Sequence, residues 1–127
     1  MKIEEKEWII KFYKTETGKC PVDDFLQTLS KEDFEKMQRT ITHLKVFGPK
    51  AHRPQCAKLR DDIYELRVRL PYHQTRTLYF FPFENYIVLT HIFIKKTDKV
   101  PDGEIEKAVK YKKDFLQRYN VKNIDEV

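Results

Sequence analysis

The sequence predicts an α+β fold, in which helices pack against a small, mostly antiparallel sheet. Three segments rich in aromatic and β-branched residues are predicted to be consecutive antiparallel strands: residues 63–70, 75–81 and 85–94. Three other segments repeat apolar residues at three- and four-residue spacing, which is typical of helices that bury one face. With a first strand at residues 6–13, the predicted order is β-α-α-β-β-β-α.

The two helices of the N-terminal half have recognisable beginnings. Pro21 fits the first turn of a short helix over residues 21–29. Ser30 is a suitable N-cap for a second helix that ends before Gly48. The apolar face of the second helix consists of Phe34, Met37, Ile41 and Leu44. That face is expected to pack in the core.

The C-terminal part of the chain is predicted to form a third helix over residues 102–119. Its apolar side consists of Ile105, Ala108, Val109, Lys112, Phe115, Leu116 and Tyr119. Residues 119–127 show no strong pattern, so we expect them to fray. A chain of 127 residues without a linker is expected to be a single domain over residues 1–127.

Alternation along residues 63–70 separates apolar from charged side chains. The apolar face consists of Tyr64, Leu66, Val68 and Leu70. The opposite face carries Glu65, Arg67 and Arg69. We expect helices to cover one face of the sheet and to leave the face with Arg67 partly open. The last strand is apolar on both faces and ends in Lys95 and Lys96.

Charge and composition restrict the possible partners. The formal net charge is +5, and the basic excess lies in residues 58–76 and 91–113, which favours an anionic, phosphate-bearing partner. No apolar run is long enough to span a bilayer, and the N-terminus lacks an apolar signal region. We therefore expect a cytoplasmic protein with no membrane partner. Cys20 and Cys56 are too few for a disulfide framework or a metal set.

Four stretches together resemble a known family. YELRVR, TRTLYFF, IVLTHIFIKKTDKVPDGEIEKA and PVDDFLQTL are similar to segments of the HigB-like branch of the RelE/ParE toxin superfamily. These are the toxins of bacterial and phage type II toxin–antitoxin modules. The resemblance covers most of residues 6–118 and is most specific at residues 87–108. It implies the RelE-like fold, a small curved sheet flanked by helices.

The resemblance also implies a function. Toxins of this kind are ribosome-dependent endoribonucleases that cleave translated mRNA in the ribosomal A site, without a metal or cofactor. The expected partners are therefore the 70S ribosome and its mRNA. A cognate helix-turn-helix antitoxin is expected to block the toxin in a hetero-oligomeric complex and to bind operator DNA.

Metal-free RNA cleavage requires a base, an acid and cations that stabilise the phosphorane. The resemblance implies catalytic positions at Arg67, Arg76, Lys95 and Lys96, with Glu65 a weaker transfer. Arg67 and Arg76 are predicted to bind phosphate, because a guanidinium group can hold two oxygens. The alternatives are structural, since Arg67 could pair with Glu65 and Arg76 with a carboxylate beneath the sheet. Without the resemblance, a lysine pair at a strand end is more often plain surface.

Proton transfer has two candidates. His91 is one, because imidazole titrates near neutral pH, and a hydrogen-bonded core histidine is the alternative. Glu65 is the other, with a structural ion pair as the alternative. The remaining histidines, His43, His52 and His73, show no supporting pattern. Further basic residues predicted to bind RNA are Lys58, Arg60, Arg69 and Lys99. The sequence therefore does not determine which residue is the general acid and which is the general base.

Two other functions compete with the nuclease hypothesis. One is a ParE-like toxin of the same fold that inhibits DNA gyrase without cleaving RNA. The other is a non-catalytic basic module that binds RNA or a protein. The density of basic residues around Arg67, Arg76 and Lys95–Lys96 favours the nuclease.

Overall fold

The computed structural model of the protein describes residues 7–51 and 55–127. Within these residues, five strands form one sheet, accompanied by three α-helices. The strands are β1 (Ile9–Phe12), β2 (Cys56–Lys58), β3 (Tyr64–Arg69), β4 (Gln74–Phe80) and β5 (Tyr86–Ile94). The helices are α1 (Pro21–Leu26), α2 (Lys31–Phe47) and α3 (Asp102–Arg118). The predicted α+β class is confirmed.

The strands lie in the order β1-β5-β4-β3-β2. β1 runs parallel to β5, and the other neighbouring strands are antiparallel, which confirms the mostly antiparallel sheet. The predicted N-cap of α2 is also present, since the Oγ of Ser30 accepts a hydrogen bond of 3.2 Å from the backbone N–H of Asp33.

β2 is a strand that the sequence pattern did not predict. From the sequence alone, residues 49–57 are predicted to form an exposed loop that carries His52 and Arg53. That prediction is wrong at its end, because β2 pairs with β3 over three positions, from Cys56–Leu66 to Lys58–Tyr64. Three residues are too few to display alternation, so this strand is defined by its neighbour. His52 and Arg53, which the loop prediction included, lie outside the described residues.

Helices pack on both faces of the sheet, so the prediction that they cover one face only is wrong. The face with Arg67 is nevertheless partly open as predicted, since the side chain of Arg67 is 29% exposed and Arg69 is exposed. One core cluster joins α1 and α2 to the sheet through residues such as Val22, Met37, Leu66, Tyr79 and Leu89. A second cluster joins α3 to alternate sheet positions, through residues such as Leu78, Phe80, Val88, Ala108 and Phe115. The physical reason is that β4 and β5 are apolar on both sides, so each side requires cover from water.

The C-terminal residues are held against α3 and the sheet. Ile124–Glu126 form a 3₁₀ turn, and Ile124 is 1% exposed. The hydroxyl of Tyr86 donates a hydrogen bond of 2.8 Å to Asp125. The prediction that residues 119–127 fray is therefore wrong, because Ile124 supplies an apolar anchor beyond the end of α3. Among the described residues, no helix is both long and apolar enough to cross a membrane.

A close approach between β1 and α2 depends on Gly48. This glycine ends α2 with a φ of 51°, and a Cβ at its position would overlap the indole ring of Trp8. The backbone N–H of Trp8 donates a hydrogen bond of 2.9 Å to the carbonyl of Lys45. Glycine thus lets the start of β1 lie directly against the end of α2.

We predict that Gly48→Ala lowers the free energy of unfolding by roughly 2–4 kcal/mol, because the new Cβ strains the backbone and displaces Trp8. Chemical denaturation followed by circular dichroism measures the change. Gly103→Ala is the matched control, since a Cβ there meets nothing within 4 Å. The control should be as stable as the wild type or more stable by up to about 1 kcal/mol. Equal denaturation midpoints for the two variants would contradict the prediction.

Candidate functional site

One buried carboxylate binds two arginines of the sheet. The Oε1 of Glu65 accepts hydrogen bonds from Arg67, at 2.9 Å from Nε and 2.6 Å from Nη2. Its Oε2 lies 3.2 Å from the Nε of Arg76, an ion pair whose angle falls outside hydrogen-bond geometry. Glu65 is 2% exposed and Arg76 is 6% exposed. Both structural alternatives are therefore present: Arg67 pairs with Glu65, and the carboxylate that pairs with Arg76 is also Glu65.

Strand register explains why these three residues meet. Glu65 and Arg67 are two positions apart on β3, so their side chains lie on the same face. Arg76 of β4 is directly opposite Arg67. Burial lowers the pKa of Arg76, and the neighbouring charge of Glu65 opposes that shift. Glu65 thus contacts both arginines, and the charge of Asp98 also acts on Arg76.

A cavity of about 560 Å³ brings several of the predicted residues together. Its basic lining residues are Arg67, Arg69, Arg76, Lys95 and Lys36. Lys36 belongs to α2 and was not predicted. Because it is remote from the sheet in sequence and occupies an ordinary exposed helix position, no sequence signal connects it to the site. We call this space the cationic cavity.

A second cavity, of about 400 Å³, adjoins the first through Arg76 and Lys95. It also contains the predicted residues Lys96 and Lys99. Its remaining wall includes the aromatic ring of Phe93 and the carboxylate of Glu104. Three of the four predicted catalytic cations, together with one predicted RNA-binding lysine, therefore border this second space.

Lys95 is held in place between the two cavities. Its Nζ donates a hydrogen bond of 3.2 Å to the Oε1 of Gln74 and forms an ion pair of 3.2 Å with Asp98. Its backbone N–H donates to the carbonyl of Gln74 at 2.7 Å. The ammonium group is thereby positioned by two neighbours while 22% of the side chain remains exposed.

Lys58 and Arg60 lie apart from the cationic cavity. The Nζ of Lys58 forms an ion pair of 3.2 Å with Asp62. Arg60 binds Asp61 at 2.6 Å and approaches Asp102, at the start of α3, at 3.8 Å. Neither residue lines the two cavities. Of the four residues predicted to bind RNA, Arg69 and Lys99 thus lie beside the cations predicted to be catalytic, whereas Lys58 and Arg60 do not.

His91 is a core histidine. It is 4% exposed, and its Nδ1 lies 3.0 Å from the hydroxyl of Thr90. Its Nε2 is 3.4 Å from Glu104, without hydrogen-bond alignment. Burial lowers the pKa of His91 from 6.5 to about 4, a shift that the charge of Glu104 partly opposes. The imidazole is therefore neutral at pH 7 and lies beneath α3, which corresponds to the structural alternative.

We searched residues 7–51 and 55–127 for side chains that could together bind a metal ion. These residues contain no group of three or more His, Cys, Asp and Glu side chains placed to hold a metal ion. Cys20 and Cys56 are both free thiols. The chemical character of the site is set by its arginines and lysines.

The fold and the site define a small α+β protein with a cationic cavity bordered by the sheet. The chain belongs to the Gp49-like family: the model described as "Phage derived protein Gp49-like (DUF891)" matches residues 24–113, most of the chain. This is a toxin-like family of the toxin–antitoxin type. The prediction of a protein of the toxin–antitoxin type is confirmed at the level of this family. No curated protein matched the chain.

We predict that Glu65→Ala lowers the free energy of unfolding by about 3–5 kcal/mol, because it leaves the buried charge of Arg76 without its partner. Denaturant unfolding of the purified protein measures the loss. Glu7→Ala is a suitable control, because Glu7 forms an exposed ion pair of 3.5 Å with Lys45. That variant should change stability by less than about 1 kcal/mol. A similar small loss for Glu65→Ala would argue against the structural importance of its carboxylate.

The pKa of His91 predicts a dependence of stability on pH. Because the folded-state pKa is about 4 and the ordinary value is 6.5, the unfolded chain binds a proton more readily between these values. The stabilising contribution is present above about pH 6.5 and is lost towards about pH 4, by at most about 3 kcal/mol. Glu104 and Lys107 are the charged groups acting on it.

The measurement is denaturant unfolding of the wild type and His91→Gln across this pH range. Loss of stability on acidification should be smaller in the variant. His43→Gln replaces an exposed histidine of α2 and should keep the wild-type pH dependence. Identical pH dependence in all three proteins would show that His91 does not titrate with folding.

Proposed function

We propose that this protein is the toxin of a type II toxin–antitoxin module and that it cleaves translated mRNA on the ribosome. The observation that carries the proposal is the cationic cavity, in which Arg67 and Arg69 of β3 and Arg76 of β4 come together with Lys95, the residue that follows β5. Such a group of positive charges suits a phosphodiester backbone. Membership of a toxin-like family supports the same class of function.

The chemistry proposed is transesterification within the RNA. The 2′-oxygen attacks the adjacent phosphorus, the O2′–P bond forms and the P–O5′ bond breaks. The products are a 2′,3′-cyclic phosphate and a free 5′-hydroxyl, so one proton leaves the 2′-oxygen and one reaches the 5′-oxygen. Negative charge accumulates on the phosphorane in between, and fixed cations favour that state over the ground state.

Arg67 and Lys95 are the residues we assign to the phosphate. Their side chains are 29% and 22% exposed, so each can reach a ligand in the cavity. Glu65 is then a positioning residue: its contacts with Arg67 hold the guanidinium group in one orientation. A cation that is already oriented loses less conformational entropy when the phosphate arrives.

The proposed partners follow from the proposed reaction. The 70S ribosome presents the mRNA, and a cognate helix-turn-helix antitoxin neutralises the toxin in a hetero-oligomeric complex. In that complex the antitoxin contacts operator DNA. Occupation or covering of the cationic cavity would be sufficient for inhibition, because RNA could not then reach Arg67 and Lys95.

A second candidate function is a toxin or binding module that performs no cleavage, such as a gyrase inhibitor. One observation favours it: Glu65 and His91, the two residues considered for proton transfer, are 2% and 4% exposed. Neither is accessible to a 2′-hydroxyl in this arrangement. A surface with cations and no proton-transferring group would bind a nucleic acid or an acidic protein without reacting.

Primer extension on a defined mRNA tests the nuclease directly. We expect cuts at A-site codons only when programmed 70S ribosomes are present, and we expect them to persist in EDTA because the proposed reaction uses no metal. Growth arrest on expression without any cuts would favour the non-cleaving toxin. Neither cuts nor growth arrest would favour a simple binding module.

The same assay tests the assigned cations. Arg67→Gln and Lys95→Gln should each reduce the cleavage rate by roughly 10²–10³-fold, because each removes a charge that stabilises the phosphorane. Lys113→Gln is the matched control, since it removes an exposed charge from α3 outside both cavities. Wild-type rates in both cavity variants, with folding verified by circular dichroism, would refute the assignment. Arg76 is less suitable, because it is 6% exposed and its replacement would disturb a buried position of the sheet.

A further inference from the structure

The proposed cleavage requires a side chain that can exchange protons with RNA, and the inference made here rests on that proposed function. Glu65 is engaged by two arginines, and His91 is covered by α3. A proton-transferring residue must instead be exposed and must lie beside the cations that bind the phosphate. Histidine is the side chain best suited to this task near neutral pH.

Two exposed histidines occur in the described part of the chain, His43 and His73. The ring of His43 packs against Phe47 of the same helix, with 4.4 Å between ring centroids. His43 lines neither the cationic cavity nor its neighbour. His73, in contrast, lies in the turn that joins β3 to β4, immediately before the residue that holds Lys95.

Backbone hydrogen bonds fix the position of His73 next to the end of β5. Its carbonyl accepts a hydrogen bond of 2.7 Å from the N–H of Leu70, which closes the turn. The next residue, Gln74, accepts hydrogen bonds from the backbone N–H and the Nζ of Lys95, at 2.7 and 3.2 Å. The turn is thus connected directly to a cation of the site.

Side chains around the turn form an open recess of about 400 Å³. Tyr72 and His73 line it from the turn, and Lys95, Lys96 and Asp98 line it from the end of β5 and the residues that follow. Lys95 also borders the cationic cavity. A phosphate bound to Lys95 would therefore be close both to the cavity bordered by Arg67 and Arg76 and to the recess bordered by His73.

We propose that His73 is the general base of the cleavage reaction. Neutral imidazole takes the proton of the 2′-hydroxyl as the O2′–P bond forms. The P–O5′ bond breaks, the leaving 5′-oxygen takes a proton from water, and the imidazolium returns its proton to solvent. Tyr72, which is 90% exposed, offers a ring on which the adjacent base can stack beside the imidazole.

Charged groups from the end of β5 and the residues after it line the same recess as His73. They are Lys95, Lys96 and Asp98. Arg69 lies opposite Gln74 and adds a further positive charge on β3. Activity that requires neutral imidazole rises with pH and reaches a plateau once the histidine is deprotonated.

The test is single-turnover cleavage of ribosome-bound mRNA by the full-length chain, from about pH 5.5 to about pH 8.5, a range that spans ordinary histidine titration. We expect the wild-type rate to increase with pH over its lower part. His73→Gln should cleave about 10²–10⁴-fold more slowly and should lose the pH-dependent limb. Its co-sedimentation with ribosomes should be unchanged, which separates a catalytic role from a role in binding.

His43→Gln is the matched control and should retain the rate and pH profile of the wild type. A His73→Gln variant that cleaves at the wild-type rate would overturn the inference while leaving the nuclease intact. Loss of the pH-dependent limb in His52→Gln with His73→Gln unaffected would likewise overturn it. If the wild type makes no cuts, the proposed function and the role of His73 fail together. Slow cleavage by His73→Gln with the pH limb retained would reduce this residue to a structural one.

Discussion

The carboxylate of Glu65 is the group on which the arrangement of the site depends. A buried carboxylate is tolerated only when its charge is matched, and here the match comes from guanidinium groups on two adjacent strands. Arg67 and Arg76 consequently have defined positions before any ligand arrives. The contact that stabilises the fold thus also orients the guanidinium group of Arg67, to which the proposed function assigns the phosphate.

The helices that pack on both faces of the sheet determine which of its side chains remain available to a ligand. α3 packs over Leu78 and Phe80, and the same helix places Glu104 against His91. Polar residues near the middle of the sheet are therefore enclosed, whereas those near the end of β5 stay accessible. The accessible basic side chains lie near the end of β5 and the turn between β3 and β4. Functional residues are commonly found on such turns and loops, which a rigid scaffold holds in place.

Most of the fold could be predicted because its signals are local. The cap at Ser30 and the proximity of Glu65 to Arg67 each depend on residues a few positions apart. Features that depend on packing between distant segments could not be predicted. Lys36 joins the site only through the way α2 lies on the sheet, and the burial of His91 depends on α3. Strand alternation predicts on which face of the sheet His91 lies, but it cannot predict that α3 covers this face.

The pairing of β1 with β5 connects the beginning of the chain to a strand that is synthesised much later, with Ile9 opposite Tyr86 and Phe12 opposite Leu89. Contacts of such high sequence separation cannot form until the later partner exists, and they slow folding because a long loop must close. During translation, β1 has no sheet to join until β5 has emerged, and α3 follows later still. The sheet and its cationic cavity are therefore complete only after β5 and Lys95 have emerged. Under the proposed function, a shorter nascent chain has no complete site with which to act on the ribosome that is making it.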